Sequence, residues 1–303
     1  MLDSALVRVL PAVPKQLVRR LSSRYIAGPT LADARRTVAE LNAAGKLATV
    51  DVLGEEITQP EEAEAIAQAY LDVLAAIETD GLDSNISVKL TGLGLKLEPA
   101  LCRANLGAVV RDAAARGTFV RIDMEDSSTT DDTLRLYREL RESGLDNAGV
   151  VLQASLRRTV ADVRALADLR PSVRICKGIY VEPESIAFTD FEAVRANFVA
   201  ALDALLEAGC YVGVATHDEW LIEQTLGRVA GLDRTAYELQ MLLGVREQRA
   251  TELVRAGHRL RVYVPFGQRW YEYSLRRLQE NPKIAGYVAG DVLGRLVPGR
   301  RPA

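Results

Sequence analysis

The chain has 303 residues, 48% of them hydrophobic and 26% charged, with a formal net charge of -3. This balance excludes a disordered chain, gives no electrostatic footprint for a nucleic-acid partner, and suits one large domain or two small ones. Three widely spaced cysteines, Cys102, Cys176 and Cys210, and only two histidines, His217 and His258, offer no metal-ligand spacing and fit a reducing, cytoplasmic setting.

Residues 1–45 read as a basic helical arm packed on the domain that follows. Arg8, Lys15, Arg19, Arg20 and Arg24 interleave with apolar residues, Pro11 and Pro14 interrupt them, and no signal-peptide core is recognisable. Such an arm can also touch an anionic membrane surface. No later window reaches the roughly twenty uncharged apolar residues of a membrane span.

From position 46, short β-branched or apolar runs alternate with long segments of helical period. The runs are KLATVDVLG (46–54), NISVKL (85–90), TFVRIDME (118–125), AGVVLQA (148–154), SVRICKG (172–178), CYVGVATH (210–217), YELQML (237–242) and RLRVYVPF (259–266). Helical patterns fill the intervals, for instance 60–78, 98–117 and 190–209, with Pro or acidic residues at their starts and Gly117 and Gly209 at their ends. Eight βα units predict an α/β fold, a single (β/α)8 TIM-type barrel over 46–296, with an open doubly wound sheet as the alternative. Residues 297–303 read as a flexible basic tail.

In a closed parallel barrel the βα loops meet at the C-terminal ends of the strands, so polar residues there should line a site. Those ends carry Asp51 and Glu55, Lys89, Asp123 and Glu125, Gln153, Arg174 and Lys177, His217 with Asp218, Gln240, and Tyr263. Each has a bland structural reading: Lys89 snorkelling from an edge, His217 hydrogen-bonded in place, Gln153 satisfying a buried backbone group. Charged groups inside apolar strands are costly unless paired, and their recurrence in nearly every strand favours a site.

The signatures of an elbow serine hydrolase, a zincin and a P-loop NTPase are all missing. A mouth rich in Arg, Lys, Asp and Tyr suits an anionic small molecule, an organic cofactor, or both, and leaves open a Schiff-base role for Lys89 or Lys177. The late stretch YEYSLRRLQE (271–280) adds a helical face carrying Tyr273, Arg276, Arg277 and Glu280 at intervals of three and four. Such a face is either a solvated surface or a forked clamp for a carboxylate.

Together, SVKLTGLG, IDMED, VLQASLRR, RICKGIY, ATHD, ELQMLLGVR, RVYVPFG and Tyr273-x-x-Arg276-Arg277-x-x-Glu280, in this order, resemble the proline dehydrogenase family in its short monofunctional bacterial form. The resemblance implies a distorted (β/α)8 barrel with the late helix over its C-terminal face. It also implies a flavin, FAD rather than FMN, and oxidation of L-proline to Δ1-pyrroline-5-carboxylate by hydride transfer to flavin N5. By position in those motifs, Lys89, Arg276 and Arg277 would hold the proline carboxylate, Tyr263 and Tyr273 would pack on its ring, and Glu55 would pair with the first clamp arginine. Asp123 would hydrogen-bond Tyr263 and help seat the late helix, and Arg174 would lie near the flavin N5 edge. Gln153, Lys177, Gly178, Tyr180, Thr216, His217, Gln240 and Glu280 would surround the rest of the cofactor. Ile179 and Val181 depart from the small residue and the aromatic that the family commonly places there.

The same resemblance implies a quinone electron acceptor, reached from a peripheral position on the inner face of the membrane, and transfer of the product to a pyrroline-5-carboxylate dehydrogenase. Alternatives that the residues leave open are another flavin barrel such as methylenetetrahydrofolate reductase, a Schiff-base aldolase, and a non-catalytic barrel that binds a small anion.

Overall fold

The computed structural model describes residues 24–54, 57–271 and 274. Eight strands form one closed parallel barrel in sequence order: β1 (Leu47–Val52), β2 (Ser84–Val88), β3 (Val120–Ile122), β4 (Ala148–Gln153), β5 (Ser172–Cys176), β6 (Tyr211–Ala215), β7 (Tyr237–Leu242) and β8 (Leu260–Phe266). Closure is made by β8, which pairs with β1 from Leu47↔Arg261 to Val52↔Phe266. The fold is thus the (β/α)8 barrel, and the open sheet is ruled out.

Helix α1 (Leu31–Ala43) precedes the barrel, and α2 (Pro60–Asp80), α3 (Pro99–Ala115), α4 (Thr130–Glu142), α5 (Thr159–Leu166), α6 (Phe191–Glu207), α7 (Glu219–Arg228) and α8 (Glu247–Arg255) follow β1 to β7 in turn. Their starts are chemically marked. Thr30 and Asp33 exchange bonds in a capping box before α1, Pro60 opens α2, and the carboxylates of Asp190 and Asp218 accept from Ala193 N and Trp220 N at the heads of α6 and α7. Helix α1 buries Ala34 and Val38 and packs on β8 and β1, covering the seam where the barrel closes.

The strands alternate between two environments. Val50, Ile86, Val88, Ile122, Val150, Leu152, Val173, Ile175, Val212, Val214, Leu239, Val262 and Val264 are buried and belong to the main apolar core. Asp123 beyond β3 meets Arg174 on β5 and Tyr263 on β8, strands that are not neighbours of β3, which only the lumen allows. The apolar set therefore faces the helices, and the lumen is filled by polar and charged groups instead of the branched aliphatic layers usual in such barrels.

Two glycines make room for this filling. A Cβ on Gly149 would lie 2.5 Å from an Arg121 nitrogen, and one on Gly213 would lie 2.4 Å from Gln240 Nε2. Long polar side chains thus occupy space that two strands leave vacant.

Strands end earlier than the apolar runs suggest. β2 stops at Val88, β3 at Ile122 and β5 at Cys176, so Lys89, Asp123 and Lys177 stand on the first residue of a βα loop. Asp123 N still donates to Val88 O at 2.8 Å, so the ladder outlasts the regular strand by one bond.

Candidate active site

At the C-terminal ends of the strands lies a cleft of about 570 Å³, within the size range of small-molecule and cofactor sites. Of the residues singled out from sequence, Lys89, Asp123, Gln153, Arg174, Lys177, Gly178, Tyr180, Thr216, His217, Gln240 and Tyr263 line it. Glu55, Tyr273, Arg276, Arg277 and Glu280 lie outside the described residues, so the proposed clamp helix has no described geometry.

The floor is a polar cluster. Lys89 Nζ donates to Asp51 Oδ2 at 2.8 Å and to Tyr263 Oη at 3.0 Å. Tyr263 Oη in turn donates to Asp123 Oδ2 at 3.0 Å. Arg174 Nη1 donates to Asp123 Oδ1 at 2.5 Å and to Ser87 Oγ at 3.1 Å, and Ser87 Oγ also donates to Asp123 Oδ1. The guanidinium lies 5.5 Å from the Tyr263 ring centroid, within cation–π range. One carboxylate thus organises two cations and a phenol.

Burial would raise the Asp123 carboxyl, but the charges of Arg174 and Lys89 and the bonds from Ser87 and Tyr263 prevail and hold it below the ordinary carboxylate value. Asp51 is fully buried, and Tyr70 reaches it from α2, donating at 3.1 Å. Burial first, and the Asp51 charge second, push the Tyr70 phenol well above its usual value. It stays a neutral donor.

At the rim, Asp218 binds two cations. Lys177 Nζ donates to Oδ2, while Arg195 Nε and Nη2 donate to Oδ2 and Oδ1 at 2.9 and 2.7 Å in a fork. The Arg195 bonds, followed by those and the charge of Lys177, hold this carboxyl far below its usual value. The Phe191 ring lies 4.3 Å from both cationic centres. Arg195 and Phe191, one turn apart on α6, had their only sequence signal in the i, i+4 spacing of a cation and an aromatic just after the Asp190 cap.

Three expected cofactor residues also carry structural duties. His217 Nε2 accepts from Leu242 N at 3.0 Å, which leaves Nδ1 as its protonated nitrogen. Gln153 Nε2 donates to Glu125 O at 2.8 Å, and Thr216 Oγ1 accepts from Asp218 N at 3.1 Å. Gly178 adopts φ +97, and a Cβ there would lie 2.3 Å from Ser155 Oγ, so no other residue fits. Glu125, by contrast, is turned away to accept from Thr91 N and Thr91 Oγ1.

Apolar side chains of Met124, Val151, Ala215, Met241 and Leu242 line the cleft together with the cations Arg174 and Lys177. This mixture of apolar and cationic lining fits an anionic organic cofactor. Lys89 and Lys177 are both ion-paired to aspartates. Among the described residues no group of His, Cys, Asp and Glu could hold a metal ion.

A closed parallel barrel with its charged groups gathered at the strand ends defines a (β/α)8-barrel enzyme. A family model for proline dehydrogenase matches residues 34–289. The chain belongs to the proline dehydrogenase family. Proline dehydrogenase 1 of Bacillus subtilis (strain 168) is 38% identical over 272 residues, covering 89% of this chain and 90% of its own length. The proline dehydrogenase of Deinococcus radiodurans is 34% identical over 285 residues, covering 92% of each. Among solved structures, proline utilization A from Bdellovibrio bacteriovorus, inactivated by N-propargylglycine, shares the fold with a TM-score of 0.82 at 23% identity. It covers 90% of this chain and 36% of that longer one.

Proposed function

We propose that this chain oxidises L-proline to Δ1-pyrroline-5-carboxylate with a bound flavin, FAD rather than FMN. The observation that carries the reading is the floor cluster: Lys89, Arg174 and Tyr263 held on the single carboxylate of Asp123, in a cleft with apolar walls. The oxidation removes a hydride equivalent from the carbon beside the ring nitrogen and a proton from that nitrogen. A flavin, when bound, supplies the two-electron acceptor.

The protein's part is placement and charge. Lys89, joined by Arg276 and Arg277, grips the proline carboxylate, and Tyr263 with Tyr273 packs on the ring. Glu55 pairs with Arg276 when the site is closed. Asp123 fixes the Tyr263 hydroxyl, whose lone pair takes the Lys89 proton donor while its own hydrogen points at the carboxylate. Arg174 would supply a fixed positive charge to a bound flavin and so favour its reduced, more negative form. Gln153, Lys177, Gly178, Tyr180, Thr216, His217, Gln240 and Glu280 hold the remainder of the cofactor.

Electrons then pass to a quinone, reached from a peripheral position on the inner membrane face, and the product passes to a pyrroline-5-carboxylate dehydrogenase. Among the described residues no helix is long and apolar enough to cross a membrane. The test is anaerobic addition of L-proline to the purified holoprotein while the visible flavin absorbance is followed. Bleaching is expected with L-proline. A protein that binds neither FAD nor FMN, or whose bound flavin stays oxidised with proline and is reduced by methylenetetrahydrofolate, overturns the reading.

A further inference from the structure

Beneath the cleft, on the opposite side of Arg174, lies a second buried cluster that meets the cleft through Gln240. Glu238, on β7 and 2% exposed, accepts three bonds. Arg261 Nε donates to Oε1 at 2.7 Å, Gln240 Nε2 to the same oxygen at 2.6 Å, and Tyr211 Oη to Oε2 at 2.8 Å. Arg261 is itself anchored, Nη1 donating to Ala48 O at 2.6 Å. On its other side Gln240 offers Oε1 to Arg174 Nε at 2.5 Å.

The amide of Gln240 therefore bridges an acceptor-only carboxylate and a donor-only guanidinium. Only one orientation of an amide satisfies both, nitrogen toward Glu238 and oxygen toward Arg174. We propose that Glu238 is a positioning residue: its carboxylate fixes the polarity of the Gln240 amide, and the amide in turn fixes Arg174 in the cleft. The inference rests on the proposed role of Arg174 beside the flavin.

Two further features support it. Burial would raise the Glu238 carboxyl, but the charge of Arg261 and the bonds from Arg261, Tyr211 and Gln240 hold it below its usual value, so it remains an acceptor on every face. Gly213 on β6 leaves the slot in which the amide lies, since a Cβ there would be 2.4 Å from Gln240 Nε2. The amide is thus held by charge on one side and by shape on another. Arg174 makes its other bonds by donating through Nη1 to Asp123 and Ser87, so the Nε bond to Gln240 sets its in-plane rotation.

In Glu238→Gln the neighbouring group becomes an amide that can donate as well as accept, and Gln240 can turn over and present its nitrogen to Arg174. The expected result for the holoprotein is an about tenfold slower flavin reduction at saturating proline, equivalent to ~1.4 kcal/mol. Proline dissociation should change far less, and the visible flavin band should shift. Gly213→Ala, which leaves Glu238, Tyr211 and Arg261 in place, should show the same split, and it carries the test if Glu238→Gln does not fold. In an Arg174→Lys background, which lacks the Nε donor, Glu238→Gln should add no further loss. Unchanged reduction rate and spectrum in the folded variants, or an equal loss with and without Arg174, overturns the proposal. A wild-type protein whose flavin proline does not reduce sinks the functional reading instead, so the two failures are distinct.

Discussion

Asp123 is the residue on which the floor of the cleft turns, because Arg174, Lys89, Ser87 and Tyr263 all address its two oxygens. Its carboxyl is depressed in the folded protein, so its contribution to stability is present above the unfolded carboxylate value of about 4 and lost as pH falls through the lower folded value. Asp123→Asn should therefore flatten the acid limb of a stability–pH curve measured by denaturant titration. Tyr263→Phe removes the hydroxyl that links Lys89 to Asp123. An about tenfold loss in kcat/KM for proline is expected, the scale of one lost bond to a charged group, and steady-state kinetics would measure it. Cys176 lines the cleft, yet burial, against the opposing charge of Arg174, pushes its thiol up to about 11. At about pH 8 the native protein should resist iodoacetamide there, as intact mass would show, because the thiolate is the reactive form.

At the scale of elements, α6 and α7 are tied together and to the β5 loop through Asp218. One carboxylate caps α7 at Trp220 N, forks with Arg195 on α6 and binds Lys177 beyond β5. Asp218→Ala should remove the cap, costing about 1 kcal/mol, and lower the melting temperature by roughly 1–2 °C. Asp218→Asn keeps an acceptor for the cap but not the charge. It should recover most of the melting temperature, a difference that calorimetry would resolve.

For the whole molecule, the barrel was legible because its outward strand faces are unbroken aliphatic runs and its helices keep their period and caps. The site was legible where a polar residue closes such a run, as at Lys89, Asp123, Arg174 and Tyr263. What lay deeper was hidden: Glu238, Arg121 and Arg261 each look like a stray charge in a strand, since one sequence does not show which strands face one another across a lumen. Tyr70, in an alanine-rich stretch of α2, gave no sign that it reaches Asp51, and the vacancies at Gly149 and Gly213 acquire meaning only beside the side chains that fill them. Val38 on α1, buried over the β1–β8 seam, tests closure: Val38→Ala should cost about 1–3 kcal/mol by denaturant melts, the range for a cavity in a packed core.

The polar lumen is also electrically unbalanced. Among the described side chains that point into it, Lys89, Arg121, Arg174 and Arg261 stand against Asp51, Asp123 and Glu238, and at the rim Lys177 and Arg195 share Asp218. The enclosing walls are apolar and shield this surplus poorly, so a guest that enters the mouth is favoured with its carboxylate turned inward. A carboxylate analogue that lacks the compensating ammonium charge should therefore bind more weakly as ionic strength rises, even though the overall charge of the protein is negative.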